Sequence, residues 1–538
     1  MAFENEFTYR KYLEAGKEEE FDKLFEAAVE KVKSNFGGEY PIVINGEPIY
    51  TKDKMIESSP IDNRWKIGIF QRGDREIARK AIDAALEAFK EWSQVDYRKR
   101  AEIFKKAADI FAQNKFELAA VLSIENGKSR YESIGEVDEA IDFLRYYSME
   151  LIRNKGYNRR DILKGSTRSV KAGFQGAPSP EEVIDIRMVP YGVFGVIAPF
   201  NFPVSISTGM SSGAMITGNT VVFKPSSSDN MTMLTGYYIY KLLKEAGLPE
   251  GVFNYLTGPG SEVGDELVVN DKVSGIVFTG SRETGMGMLA KVYGSKKQKI
   301  FVVEMGGKNP TIVSKTADLD IAAKGIVSAA FGFAGQKCSA LSRVYVHSSV
   351  KGKLLDKIIA LLKDLKIGDP LKKENYIGPL ISKSAYDRYV TYVDHARKNG
   401  RVIYGGNTVD VGLNGYYVEP TIVEIDHDDE MVHKELFVPI LVVIGYDDFN
   451  DALRMANDVE YGLTAGLYSK DKKEIKLFAD SIEAGVVYIN RESSATTGAI
   501  VGHHSFVGWK GSGITGKGTG SRFYLQQFLR EKSVSITK

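Results

Sequence analysis

The amino-acid sequence predicts an α/β protein built on parallel, doubly wound sheets. Its 538 residues exceed what one core holds and divide into roughly two to four domains. Between Gly192 and Val303, buried apolar runs alternate with helical stretches, the pattern of parallel strands joined by crossover helices. A second alternating block fills Asn309 to Tyr488.

Residues 1–37 are charged and helix-like. Phe21, Leu24, Phe25, Ala28, Val29 and Val32 recur at helical spacing, so this segment reads as an arm lying on the body. A short strand at Tyr40–Asn45 then meets a turn at Gly46. Amphipathic helices follow as far as Arg153, among them Ala78–Trp92 and Arg98–Asn114. Residues 154–186 hold Gly, Pro, Lys, Arg and Ser with little periodicity, and lead into the run Glu182–Met188. That composition predicts a protruding strand pair or excursion. In the first block strands are expected at Val193–Ala198, Thr220–Lys224, Val273–Thr279 and Ile300–Val303, with helices at Thr232–Ala246 and Glu283–Val292. The second block predicts strands at Ser342–His347 and Ile440–Tyr446, and helices at Lys351–Leu365 and Phe449–Asn457. The glycine-rich tail, 491–538, closes with the strand-like Lys532–Ile536.

Basic and acidic side chains nearly cancel, 71 against 70, so bulk charge points to neither nucleic acid nor an anionic membrane. The start, Met1–Phe7, lacks the basic region and apolar run of a signal peptide. No apolar stretch approaches membrane-spanning length. A single cysteine fits a reducing interior, and the expected address is the cytoplasm.

That cysteine, Cys338, lies among small residues in Phe331–Arg343. A lone thiol has no internal disulfide partner and no second cysteine for a metal. Lys337 precedes it, and a neighbouring cation would favour the thiolate. The bland alternative is a small buried hydrophobe. Three predicted strands end in residues suited to chemistry. Asn201 follows the first and could offer an amide N–H to an oxyanion, although Asn beside Pro also makes turns. Lys224 ends the second, at the strand terminus where open α/β sheets bind ligands, with Ser227 three positions on. Glu304 follows the fourth, beside Gly306 and Gly307, and could act as a general base. The run Phe278–Gly285, containing Gly280 and Ser281, closes a strand and opens a helix whose free N–H groups suit a pyrophosphate. Gly258–Gly264 nearly imitates a dinucleotide fingerprint but has one residue too many.

Together these pieces resemble the aldehyde dehydrogenase superfamily. The likeness covers nearly the whole chain in order: Pro199–Phe202, Lys224, Phe278–Gly285, Glu304–Lys308, Cys338, Glu435–Pro439 and Tyr461–Gly466. It implies a Rossmann-like NAD domain (residues 1–153 and 189–303), a catalytic domain (304–490) and an oligomerisation flap (154–188 and 491–538). It further implies that Cys338 attacks an aldehyde, that Asn201 and the Cys338 N–H hold the oxyanion, and that Glu304 activates the water that hydrolyses the thioester. Lys224, Ser227, Gly280, Ser281, Gly285, Glu435 and Phe437 would contact NAD, with NADP possible because Ser227 does not repel a 2′-phosphate. A homo-oligomer, a dimer or an assembly of dimers, is implied as well.

Within the superfamily the chain is most similar to the subfamily that oxidises glutamate semialdehyde to glutamate in proline breakdown. That likeness rests on Tyr40–Gly46, Val303–Lys308, Gly332–Ser339 and the loop Thr497–Phe506. It implies a substrate carboxylate held by Gly498, Ala499 and Ser339, and methylenes sandwiched by Phe202 and Phe506. The chain departs from the pattern at Ser505 and at Val507–Gly513, in the lengthened stretch Ser493–Ala495, and at Lys434 and Val438. A different semialdehyde or a broad range of aldehydes is the alternative substrate. A cysteine hydrolase would need a histidine base, and none of the six histidines has a recognisable context for one. No further ligands gather near His503 and His504, so no metal site is expected. A catalytically silent relative would have lost Cys338, Asn201 or Glu304, and all three are present.

Overall fold

Two seven-stranded sheets form the body of the protein. The coordinates are a computed structural model that describes residues 3–163, 182–229, 231–293 and 297–537. Most of the expected excursion, 164–181, therefore lies outside the described residues.

The first sheet runs, in space, Ile300–Glu304, Val273–Thr279, Val193–Ile197, Thr220–Lys224, Phe253–Tyr255, Ile42–Ile44 and Glu47–Ile49. Its first five strands are parallel. Val193–Ile197 and Thr220–Lys224 are buried along their whole length, which explains their unbroken apolar character. From Val193–Ile197 the chain winds outward to Phe253–Tyr255, then returns to the other side for Val273–Thr279. The winding reverses between Val193–Ile197 and Val273–Thr279, and such a reversal opens a crevice at the strands' carboxyl ends. Ala198–Asn201 and Gly280–Ser281 border that crevice.

The second sheet runs Arg401–Tyr404, Thr421–Glu424, Ile440–Tyr446, Leu341–His347, Asn309–Val313, Thr464–Tyr468 and Val486–Ile489. It is parallel except for the antiparallel edge strand Arg401–Tyr404. All six expected strands of the two blocks form at or within a residue or so of their predicted ends, and the four expected helices do so within about a turn.

Three expectations are corrected. The strand Tyr40–Asn45 is two strands: Gly38–Tyr40 pairs with Lys66–Gln71 in a small separate sheet, while Ile42–Ile44 joins the first large sheet. Pro41, which has no N–H to donate, separates them. Asn45 and Gly46 (φ 51° and 77°) then make the two-residue hairpin turn into Glu47–Ile49. In the arm, helix Glu18–Lys33 buries Phe21, Phe25, Val29 and Val32, but Leu24 is 40% exposed because it lies at the edge of that stripe. In the tail, Leu529–Thr537 pairs along its length with Glu182–Pro190, whose other edge carries Arg159–Leu163. The rest of the tail, 491–528, stays out of this sheet and packs on the body. Met305 N–H donates to the Ser512 carbonyl (2.7 Å), and Tyr524 stacks on Tyr147 at 5.4 Å. Its glycines permit that approach: a Cβ on Gly508 would lie 2.3 Å from the Ser512 backbone.

Two buried carboxyls cap helix Met233–Glu245. Glu57 accepts the N–H groups of Met233 (3.0 Å) and Leu234 (3.2 Å), and Glu125 accepts that of Thr235 (3.0 Å). The helix dipole favours negative charge there, but burial pushes both carboxyls up, Glu57 to about 7. The folded chain therefore binds protons that the unfolded chain releases above its ordinary carboxylate range. Stability from this site is present at low pH and falls as pH rises through about 7. Glu57→Gln should flatten the decline of Tm between pH 5 and pH 8, a slope worth ~2–3 kcal/mol. An undiminished decline in the variant would assign it elsewhere.

Candidate active site

The residues singled out from the sequence converge at the carboxyl ends of the first sheet and on the segment leading into Leu341–His347. Lys224 is buried, and its Nζ donates to Ser227 Oγ (2.9 Å) and the Pro225 carbonyl (3.2 Å). Among the described residues no carboxylate pairs with it, and burial lowers its pKa to about 8. Ser227 in turn donates to the Gly258 carbonyl (2.5 Å). The glycine loop that fits no dinucleotide fingerprint thus adjoins Lys224. Gly258 (φ 153°) is required there, since a Cβ would meet the Gly73 carbonyl at 2.6 Å.

Ser281 caps helix Arg282–Tyr293, accepting the Thr284 N–H at 3.3 Å. Side chains at Gly280 and Gly285 would collide with the Phe278 ring and Met305 Sδ, each at 2.4 Å. The helix N-terminus can sit this close to the strand end only with glycine at both positions. Glu304 Oε2 accepts the Gly508 N–H (2.9 Å), and burial raises its carboxyl well above the usual range. Glu435 accepts the Gly307 N–H (2.8 Å) and is pushed up to about 7, again by burial first. Phe437 (φ 58°) meets Phe200 edge-on at 5.8 Å.

Cys338 is half-buried at the end of an unusual turn. Phe333, Ala334 and Gly335 have φ of 51°, 50° and 69°. Two successive non-glycine residues in that region cost of order 1–3 kcal/mol each and persist only when neighbours enforce them. Glu132 does so by accepting the Phe333 N–H (3.1 Å), and Gln336 by accepting the Ile381 N–H (2.9 Å). The expectation that Lys337 favours a thiolate is corrected. Its ammonium lies 2.5 Å from Glu132, which neutralises it, and the Cys338 thiol is pushed well up, by burial first and then by the charges of Glu435 and Glu304. The N–H groups of Ser339 and of Cys338 itself point at the sulfur and oppose that rise.

Asn201 is buried, and its Nδ2 donates to the Gln336 carbonyl at 3.2 Å, two residues from Cys338. One of its two amide hydrogens makes that bond and leaves the other available. The Asn201 backbone is held by Lys128, whose Nζ donates to its carbonyl at 2.7 Å. Lys128 forms a wholly buried ion pair with Glu136 and sits over the Phe202 ring at 3.7 Å. Glu136 also accepts the Val204 and Ser205 N–H groups at the start of helix Ser205–Ile216. Lys128, Glu132 and Glu136 were missed from the sequence, where they read as ordinary helical surface charge.

A cavity of about 280 Å³ adjoins this segment, reaching Lys337 and Ser339 on either side of Cys338. Phe202, Ser339, Gly498 and Ala499 line it as expected, and Phe506 does not. Phe506 instead bridges Thr519 through its backbone. Thr496 ties the loop to the cysteine segment by donating to the Ser339 carbonyl (2.8 Å). Arg491 fixes the loop's turn through the carbonyls of Thr497 (3.0 Å) and Gly498 (2.8 Å). The lengthened stretch before it is bonded into the body, with Ala495 N–H donating to Gly325 (2.9 Å). Among the described residues the N–H groups of Gly498 and Ala499 find no acceptor.

The Cys338 thiol, the Asn201 amide and the raised Glu304 carboxyl lie about the crevice of a doubly wound sheet, and comparison with known proteins shows the class. The aldehyde dehydrogenase family model matches residues 50–534, and the chain belongs to that family. It is 38% identical over 519 residues to the 1-pyrroline-5-carboxylate dehydrogenase 1 of Halalkalibacterium halodurans, covering 95% of this chain and 96% of that one. The solved 1-pyrroline-5-carboxylate dehydrogenase from Thermus with bound NAD superposes with a TM-score of 0.90 at 34% identity, over 100% and 99% of the two chains. A lactaldehyde dehydrogenase structure is more distant, with a TM-score of 0.84 at 30% identity over 93% and 100%.

Proposed function

We propose that this protein is an NAD-dependent 1-pyrroline-5-carboxylate dehydrogenase that oxidises L-glutamate 5-semialdehyde to glutamate. The observation that carries the substrate is the pair of unpartnered N–H groups at Gly498 and Ala499, two residues that line a cavity beside Cys338. Consecutive backbone N–H groups cradle an anion, here the substrate's α-carboxylate, with the Ser339 hydroxyl alongside. Phe202 packs on the methylenes. Phe506 lies outside the lining of this cavity.

The chemistry follows from the groups at its end. As the Cys338 sulfur adds to the aldehyde carbon, the thiol proton passes to solvent in the cavity, and the resulting oxyanion takes hydrogen bonds from the free amide hydrogen of Asn201 and the Cys338 N–H. After oxidation to the thioester, Glu304 removes a proton from the attacking water, and the carbon–sulfur bond breaks to release the acid. A carboxyl raised by burial suits that base role.

The cofactor crevice fits NAD. Lys224, a buried ammonium without a carboxylate, would hold the ribose, the capped helix end at Gly280–Ser281 the pyrophosphate, and Glu435 the second ribose with Phe437 beside the ring. NAD supplies the two-electron acceptor. Ser227 is uncharged and sets no repulsion against a 2′-phosphate, which supports NADP as the second cofactor. The same reading assigns residues 1–153 and 189–303 to the cofactor domain and 304–490 to the catalytic domain. The sheet Arg159–Leu163, Glu182–Pro190 and Leu529–Thr537 is assigned to an oligomerisation flap whose open strand edges call for a second copy.

The test is cofactor reduction with glutamate semialdehyde beside a neutral aldehyde of equal carbon number. The charged substrate is expected to win by about 100-fold or more in kcat/KM, ~2.7 kcal/mol. Comparable values would remove the carboxylate anchor and leave a broader aldehyde dehydrogenase.

A further inference from the structure

We propose that the segment Phe3–Thr8 is a strap that walls the outer side of the aldehyde cavity and limits the size of molecule that reaches Cys338. Glu6 and Phe7 line the cavity together with Ser339, Gly498, Ala499 and Val501. The segment therefore touches the same space as the proposed carboxylate anchor, although it lies far from it in the chain.

Its attachments are specific. Asn5 Nδ2 bridges the two walls, donating to Asp142 (2.7 Å) and to the Val501 carbonyl (3.1 Å). The Glu6 N–H donates to the other Asp142 oxygen at 2.8 Å. Thr8 gives both its N–H and its hydroxyl to Asp138, each at 2.7 Å. Asp138 and Asp142 are buried and stand one turn apart on helix Arg130–Arg153, which forms the cavity floor. A buried carboxyl without hydrogen-bond donors is costly, so strap and floor stabilise each other. Phe3 completes the seat, meeting Tyr146 edge-on at 5.1 Å and lying 3.0 Å from where a Cβ on Gly502 would stand.

The charge on Glu6 is not available to a substrate. Arg145 (2.9 Å), Lys11 (2.9 Å) and Lys115 (3.5 Å) surround it and, despite the opposing effect of burial, leave its pKa at about 2. The contribution of the segment is thus shape, with Phe7 as the apolar wall. The wall is held to the body by hydrogen bonds, the ion pairs of Glu6 and one ring contact.

This inference rests on the cavity being the aldehyde's route, but its test needs no substrate. Cys338 is the chain's only cysteine, so alkylation reports access to it alone. Rates with iodoacetamide and with fluorescein maleimide would be measured on the intact chain, on a variant lacking residues 3–7, and on Phe7→Ala. Opening the wall should raise the maleimide-to-iodoacetamide rate ratio about tenfold in the deletion, equivalent to ~1.4 kcal/mol of barrier, and by a smaller factor in Phe7→Ala. An unchanged ratio in both variants overturns the strap. Equal acceleration of both reagents also overturns it, because that reports general loosening. A supported strap alongside comparable turnover of charged and neutral aldehydes would leave the wall standing and remove only the carboxylate anchor.

Discussion

Cys338→Ala is expected to abolish aldehyde oxidation, lowering kcat by roughly 10⁴-fold or more, the scale seen when a covalent nucleophile is removed. NAD affinity should stay within about twofold, because one apolar truncation outside the ribose and pyrophosphate contacts alters little of the cofactor's binding energy. The reasoning is direct. The chain has no other cysteine, and the thioester route has no other sulfur. The turn that presents this sulfur is held by Glu132 and Gln336 rather than by the thiol, so alanine leaves its supports in place. Fluorescence titration with NAD and a stopped-flow assay of cofactor reduction separate the two effects. Retained turnover would refute the nucleophile assignment; lost NAD binding would show instead that the substitution collapses the crevice.

Why Asn201, Lys224 and Glu304 stand out as candidates without coordinates has a physical reason. In a doubly wound sheet the strands are wholly buried and read as apolar runs, so a polar residue at the end of such a run stands out. The strand C-termini are also where the fold opens its crevice. Both signals fall on the same positions. Lys128, Glu132 and Glu136 carry no such signal. They come at the start of a long helix in a charge-rich stretch, where acids and bases normally mark a solvated face, and only tertiary packing turns them towards Asn201 and the cysteine turn. The left-handed conformations of Phe333 and Ala334 were equally hidden, since neither residue type favours positive φ. Lys337 shows the converse error: adjacency in sequence suggested an effect on the thiol, but its long side chain reaches Glu132 instead. Phe506 failed as a cavity residue because the path of a glycine-rich loop depends on backbone turns that motif order does not specify. The strap was invisible for a related reason. Its polar residues match Asp138 and Asp142 more than a hundred positions away, and no local pattern announces that pairing.

Glu304→Gln is expected to uncouple the two halves of the reaction. The amide keeps an oxygen that can accept the Gly508 N–H, so the loop 508–513 that packs on Met305 should hold its place. What the amide cannot do is remove a proton from water. Acylation should then proceed, giving a burst of reduced cofactor close to one equivalent per site, while the following steady state falls by about 10²–10⁴-fold, the range for loss of a general base. The burst is the decisive quantity. The Cys338 thiol is raised by the charges of Glu435 and Glu304 as well as by burial. Neutralising Glu304 removes one of the charges that disfavour the thiolate, so the burst should be no slower than acylation in the native chain. Loss of the burst would mean that Glu304 takes the thiol's proton and acts in acylation, and the hydrolytic base would have to be sought elsewhere, with Glu435 the nearest raised carboxyl. A burst with unchanged steady-state turnover would remove Glu304 from the base role altogether.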